Sequence, residues 1–222
     1  MDKYEIVKKF EDFAPLEIQE SWDCSGWLVE TNKVKVNKIM LCLTVTNEVI
    51  KQAKEKHCDM IISHHPLFFV PLAWSFIDIY CAHTNMDLAR GGTTDVLVEE
   101  LGFSVSGSDG FVRYVDIDIT LEDLKNRLIQ ISPNFRYVNS SKKEFHRLAF
   151  CAGSGSEFIN EAYKNGADCF ITGDLKFHTA IESPITVFDI GHFESEIMVL
   201  KVFKKLIGCN VLYADEKSPF LS

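Results

Sequence analysis

Several things are missing from this 222-residue chain, and each absence removes a class of protein. No apolar run approaches the roughly 20 residues that a membrane-spanning helix needs. The first ten residues alternate charged with apolar side chains and lack the hydrophobic centre of an export signal, so a cytoplasmic protein is expected. There is no C-x-x-C pair. The seven cysteines (Cys24, Cys42, Cys58, Cys81, Cys151, Cys169 and Cys209) are odd in number and scattered, several of them inside apolar runs. That pattern suits reduced, buried thiols and argues against a disulfide framework or a zinc-thiolate site. Excess positive charge is also missing: the net charge is −9, so nucleic acid is not an expected partner. An acidic surface still admits a nucleotide in a local pocket where metal ions supply the positive charge. Low-complexity segments and long linkers are absent, as are a Walker lysine and G-x-G-x-x-G spacing.

What is present is an internal repeat. Residues 39–87 align without a gap to residues 148–196, at an offset of 109. Identical pairs include Cys42/Cys151, Glu48/Glu157, Ile50/Ile159, Ala53/Ala162, Asp59/Asp168, Ile62/Ile171, Phe68/Phe177 and His83/His192. Each copy runs apolar stretch, polar turn, amphipathic stretch, apolar stretch, then His-x-x-x-(Asp/Glu). The offset is too long for a solenoid. It predicts a duplicated α/β unit, with two half-sites forming one composite site. The expected units are 1–107 and 108–222, the C-terminal helix and strand packing back on the first.

Periodicity predicts a helix over 3–13 with Tyr4, Val7, Phe10 and Phe13 on one face, then a doubly buried strand over 39–45. A helix capped by Asn47 follows over 48–56, then strands at 59–63 and 77–82. Gly91-Gly92 precedes a helix over 94–101, closed by Gly102. A strand at 112–119 leads into a helix from Thr120 to about 131, with Thr120 as its cap. A strand at 135–138 and a polar turn at 139–143 follow. The repeat then resumes: strand 147–152, a turn at 153–156, a helix to about 165, strands 169–172 and 185–190, and a helix from His192 through about 206. Alternating strands and helices define an α/β fold.

The chemistry sits at strand ends, where open α/β sheets place their ligands. His64-His65 follows one strand; the two imidazoles could bind separate metals, clamp one, or simply be a hydrogen-bonded pair. His83 and Asp87 would share a helix face at i, i+4, though an extended loop serves equally. His192 and Glu196 have the same spacing in a stretch that reads more clearly as helix. Histidine and carboxylate donors without thiolate suit Zn²⁺, Fe²⁺ or Mn²⁺. Five of them would fit two divalent metal ions about 3.5–4 Å apart, which is hydrolytic chemistry as well as metal-holding chemistry. At the second copy's counterpart of the double histidine stand Asp174, Lys176 and His178, candidates for orienting ligands, moving protons or touching substrate. Gly153-Ser-Gly155-Ser could present amides to phosphate, but a tight strand-to-helix turn accounts for it better.

These blocks resemble the YbgI-like, or Nif-three-like, dinuclear-metal proteins, many of which carry the name GTP cyclohydrolase 1 type 2 homolog. The matching pieces are Trp22-Asp-Cys-Ser-Gly-Trp-Leu-Val29, Ile62-Ser-His-His-Pro-Leu-Phe68, Ala82-His-Thr-Asn-Met-Asp87 with Gly91-Gly92 and Asp95, Ile171-Thr-Gly-Asp-Leu-Lys-Phe-His178, and Gly191-His-Phe-Glu-Ser-Glu196. The resemblance implies two divalent ions held by His64, His65, Asp87, His192 and Glu196, with His83 beside the ligands. It implies a Nif-three-like fold of two related, intertwined α/β units with mixed β-sheets, in a short form without an inserted domain. It also implies a homohexamer, a ring of dimers. Departures from the family pattern are Cys24 for Asn, Trp27 for Leu, Phe177 for His and Thr94 for Asn. They spare every expected ligand and put a shared substrate in question. The leading expectation is a metal-dependent hydrolase of a nucleotide or related phosphorylated heterocycle, a small-molecule substrate, with Asp174, His178 and His83 as proton-moving candidates. The alternative is a metal-trafficking or metal-buffering protein without turnover.

Overall fold

The computed structural model describes residues 1–138, 141–208 and 210–220. Asn139 and Ser140, which open the turn expected at 139–143, and Cys209 lie outside the described residues. The chain forms two compact units, one comprising Met1–Gly92 and Val199–Lys217, the other built on Thr93–Met198.

In chain order the first unit carries α1 (Lys3–Phe13), β1 (Gly26–Val29), β2 (Ile39–Cys42), α2 (Asn47–Glu55), β3 (Met60–Ser63), β4 (Asp78–Cys81) and α3 (Thr84–Leu88). The second carries α4 (Thr93–Glu100), β5 (Gly107–Asp109), β6 (Val112–Thr120), α5 (Leu121–Leu128), β7 (Arg136–Val138), β8 (Glu144–Phe150), α6 (Ile159–Lys164), β9 (Cys169–Thr172), α7 (Phe177–Glu182), β10 (Thr186–Asp189) and α8 (His192–Glu196). Two last elements, α9 (Val199–Ile207) and β11 (Val211–Tyr213), return to the first unit. There Phe203 of α9 sets its ring edge-on to Phe10 of α1, at 5.1 Å between centroids.

Each unit has one mixed sheet, as the α/β reading requires. The first runs β1-β4-β3-β2-β11, with β1 antiparallel and the rest parallel. The second runs β5-β6-β8-β9-β10-β7, with β8, β9 and β10 parallel inside antiparallel flanks. The central strands β2, β3, β4, β9 and β10 are buried at every residue, so they do not alternate apolar with polar residues; the acids among them, Asp78 in β4 and Asp189 in β10, are buried too.

The repeat is visible in the pairing. Ile39 faces Met60 across β2 and β3, and Leu148 faces Cys169 across β8 and β9, the same register at the offset of 109. One strand later the offset becomes 108: Met60 faces Asp78, but Cys169 faces Thr186. The connection from β9 to β10 is one residue shorter than that from β3 to β4. The ungapped alignment of His83 with His192 is therefore corrected. His83 precedes α3, whereas His192 is the first residue of α8, and the residue standing where His83 stands is Gly191.

Several element ends differ from expectation for local reasons. The strand expected over 39–45 stops at Cys42, because the amides of Leu43 and Thr44 turn to donate to the Glu216 carboxylate. The cap of α2 is Thr46, whose hydroxyl accepts from the Val49 amide, and Asn47 is already helical. Thr120 caps α5 as expected. The last long helix is broken between α8 and α9. No helix among the described residues is long and apolar enough to cross a membrane.

Candidate metal centre

In the first unit the two histidines leave the buried strand β3 at its carboxyl end. Their backbone is held to the neighbouring strand: the His64 amide donates to Cys42 O (3.1 Å) and the His65 amide to Leu43 O (2.7 Å). That pairing sets both rings on the same strand end. The His64 ring is fully buried, with Nδ1 2.9 Å from Ala82 O and Nε2 3.3 Å from an Asp87 oxygen. The His65 Nδ1 lies 2.7 Å from Thr44 Oγ1. His83 completes a triangle of imidazoles, its centroid 5.3 Å from that of His64 and 5.8 Å from that of His65.

His83 is fixed by a residue that sequence reading did not single out. Asp23 accepts from the amide of Thr84 (3.0 Å) and from its hydroxyl (2.5 Å), and its other oxygen is 3.0 Å from His83 Nδ1. One carboxylate thus caps α3 and orients the ring in front of it. Burial opposes ionisation of Asp23, but the bonds from His83 and Thr84 outweigh it and hold the carboxyl well below its ordinary range. The only sequence signal for this role was its place in the Trp22–Val29 block. Trp22, exposed, sets its ring edge-on to His83 at 5.9 Å.

In the second unit His192 opens α8 with a carboxylate on each ring nitrogen. Nδ1 is 2.6 Å from Asp174 and Nε2 is 3.0 Å from the buried Glu196, one helical turn on. The bond to Glu196 raises the His192 pKa to about 9; burial works against this, and Asp174 adds to it. Two carboxylates converging on one imidazole create a place for positive charge, which a proton or a metal cation can supply. Asp174 reaches this position in the left-handed region, with φ of 52°, a conformation Asp tolerates better than most residues. Behind it Asp189, also missed by sequence reading, accepts from the amides of Leu175 and Gly191 and from the Arg136 guanidinium. Gly153 leaves no room for a side chain: a Cβ there would collide with Glu196 Oε1. The amides of Gly153 and Gly155 donate to Ser195 Oγ and Thr172 Oγ1, both 2.9 Å, so this segment is a strand-to-helix turn closed on itself.

The expected ligands thus fall into two sets, each assembled within its own unit: His64, His65 and Asp87, and His192 with Glu196. Asp174 joins the second set. His178 lies on the exposed first turn of α7, its ring edge-on to Phe177 at 5.5 Å. The donors are all nitrogen and oxygen, and His64, His65 and His192 are each anchored through Nδ1, so that a metal would be met by Nε2, which in His64 and His192 faces Asp87 and Glu196. This chemistry fits a divalent cation.

The sequence model of the family described as "Duf34/NIF3 (NGG1p interacting factor 3)" matches residues 1–214. A protein of Clostridium perfringens named GTP cyclohydrolase 1 type 2 homolog is 36% identical, covering 91% of this chain and 90% of its own. A protein of the same name from Campylobacter jejuni is 34% identical, covering 97% of each. Among solved structures, protein ybgI, described as of unknown function, superposes with a TM-score of 0.89 at 21% identity, covering 99% of this chain and 100% of its own.

Proposed function

Starting from its membership of the Duf34/NIF3 family, we propose that this chain is a metal-dependent hydrolase of a nucleotide or a related phosphorylated heterocycle. In this reading His64, His65, Asp87, His192 and Glu196 hold two divalent ions, with zinc, iron or manganese as candidates. The names of the relatives support a nucleotide substrate. The observation that carries the metal assignment is the anchoring of three imidazoles through Nδ1, which points each Nε2 away from its anchor. When bound, such ions supply Lewis acidity to water and to phosphoryl oxygens. The chain's own residues orient and move protons around them. Asp174 keeps the His192 ring in place, and Asp23 does the same for His83. With Nδ1 tied to a carboxylate, His83 is equipped to accept a proton at Nε2. His178, exposed on α7, would exchange protons with bulk solvent. We infer further, from the family resemblance, a homo-oligomer in the form of a hexameric ring.

The test is elemental analysis of purified protein beside His64→Ala and Glu196→Ala, followed by a nucleotide hydrolysis screen with His65→Ala as control. About two ions per wild-type chain are expected, fewer in both variants, and turnover that His65→Ala abolishes. Turnover unchanged in a folded His65→Ala protein would sink the hydrolase reading. A metal-buffering or interaction protein is the second reading, favoured by the family description as an interacting factor. It predicts bound metal that exchanges with a chelator within minutes to hours and no turnover of any nucleotide.

A further inference from the structure

The C-terminal return of the chain places a carboxylate at a point the site depends on. After β11 the backbone stays beside β2, with the Ala214 amide donating to Leu41 O (2.8 Å). Asp215 is clasped by the Gln52 side chain: its amide donates to Gln52 Oε1 (2.8 Å) and its carbonyl accepts from Nε2 (3.1 Å). The next residue, Glu216, turns its carboxylate onto the end of β2. One oxygen accepts from the Leu43 amide (2.8 Å) and the other from the Thr44 amide (3.0 Å). Burial raises the pKa of this carboxyl, and the two amides oppose the rise. Leu43 O receives the amide of His65, and Thr44 Oγ1 faces His65 Nδ1 at 2.7 Å. The two residues that Glu216 grips are therefore the two that fix the backbone and the ring of His65. All of these contacts lie within the first unit.

We propose that Glu216 is a positioning residue for His65, acting through the Leu43-Thr44 turn to hold the ring with Nδ1 on the threonine hydroxyl and Nε2 presented for metal. The reasoning is geometric. Residues 43–44 have left the sheet ladder, so their amides need an acceptor, and the one they use comes from the far end of the chain. Without it the turn can rotate and Thr44 Oγ1 loses its aim. A ligand whose ring is held less firmly pays more ordering entropy on binding metal, and outer partners of this kind are worth tenfold or more in affinity. The consequence for metal rests on the proposed ligand role of His65; the consequence for the ring does not.

The experiment uses the full chain as wild type, Glu216→Ala, Glu216→Gln, Thr44→Val and the double variant Thr44→Val/Glu216→Ala. Two quantities are read: the ¹⁵N and ¹³C signals of the His65 ring in metal-free protein, which report its tautomer and order, and Zn²⁺ affinity by chelator competition. Glu216→Ala is expected to shift or broaden the His65 signals and to weaken Zn²⁺ binding about tenfold. Glu216→Gln, which keeps one acceptor oxygen, recovers part of both. The double variant loses less than the sum of the two single variants, because both changes act on His65 through the same turn. Wild-type His65 signals in Glu216→Ala, or strictly additive losses in the double variant, overturn the proposal. If Glu216→Ala does not fold, Glu216→Gln and Thr44→Val carry the same comparison. If wild-type protein takes up no Zn²⁺, the metal reading falls, and the His65 signals still decide the role of Glu216.

Discussion

At the scale of single residues, the site is made by side chains that hold other side chains. His64 is held by the carbonyl of Ala82, His65 by Thr44, His83 by Asp23 and His192 by Asp174. The ligand candidates were legible in the sequence because histidines and acids at strand ends are conspicuous. Of their side-chain supports only Asp174 was, since Thr44 and Asp23 look like ordinary turn residues until the fold brings them within bonding distance. Asp23 yields a prediction with a definite sign. Its carboxyl is held below the ordinary value of 3.8, so its contribution to stability is complete above that pH and is lost as pH falls through and below it. Urea unfolding of wild type and Asp23→Asn should differ most at pH 7 and converge below about pH 4. A difference independent of pH would show that the charge of Asp23 is not what stabilises α3.

Among elements, the two copies share devices that the alignment located without explaining. Asp59 accepts from the amides of Asn37 and Lys38 and pairs with Lys33; Asp168 accepts from those of His146 and Arg147 and pairs with Lys142. Each carboxylate ties the start of one parallel strand to its neighbour, to the approach of β2 in the first copy and to β8 itself in the second, which is why this acid stands in both copies. The ends of α2 and α6 correspond as well. The amides of His57 and Cys58 donate to Lys54 O and Ala53 O, and those of Gly166 and Ala167 to Tyr163 O and Ala162 O. The residue in the left-handed position is His57 in one copy (φ 54°) and Gly166 in the other (φ 86°). A side chain there costs about 1 kcal/mol. Thermal unfolding should therefore show His57→Gly stabilised and Gly166→Ala destabilised by about that amount each. Equal and negligible shifts in both would mean that the cap geometry carries no strain.

For the whole molecule, the proposed homo-oligomer has one surface feature in its favour. In the first unit Phe69 is 91% and Leu72 87% exposed, with Phe68 beside them, immediately after the double histidine. Side chains this apolar and this bare suit burial against another chain. Light scattering of purified protein should give the mass of six chains, and Phe69→Asp should lower it; a monomer at micromolar concentration would remove the hexamer. The sequence by itself determined the elements that depend on local pattern. Buried parallel strands announce themselves as apolar runs, α5 by the hydroxyl of its Thr120 cap, and the repeat by its ordered blocks. It also placed the ligand candidates at strand ends, because their chemistry is carried by residue type alone. Tertiary structure decided what depends on long-range pairing. The three-residue edge strand β5 carries too little pattern to declare itself, and it forms because β6 offers its unpaired backbone. A single residue missing between β9 and β10 moved His192 out of register with His83, a slip that an ungapped alignment absorbs and a hydrogen-bonded sheet does not. Glu216 meets Leu43 and Thr44 across more than 170 positions, a contact no local pattern encodes.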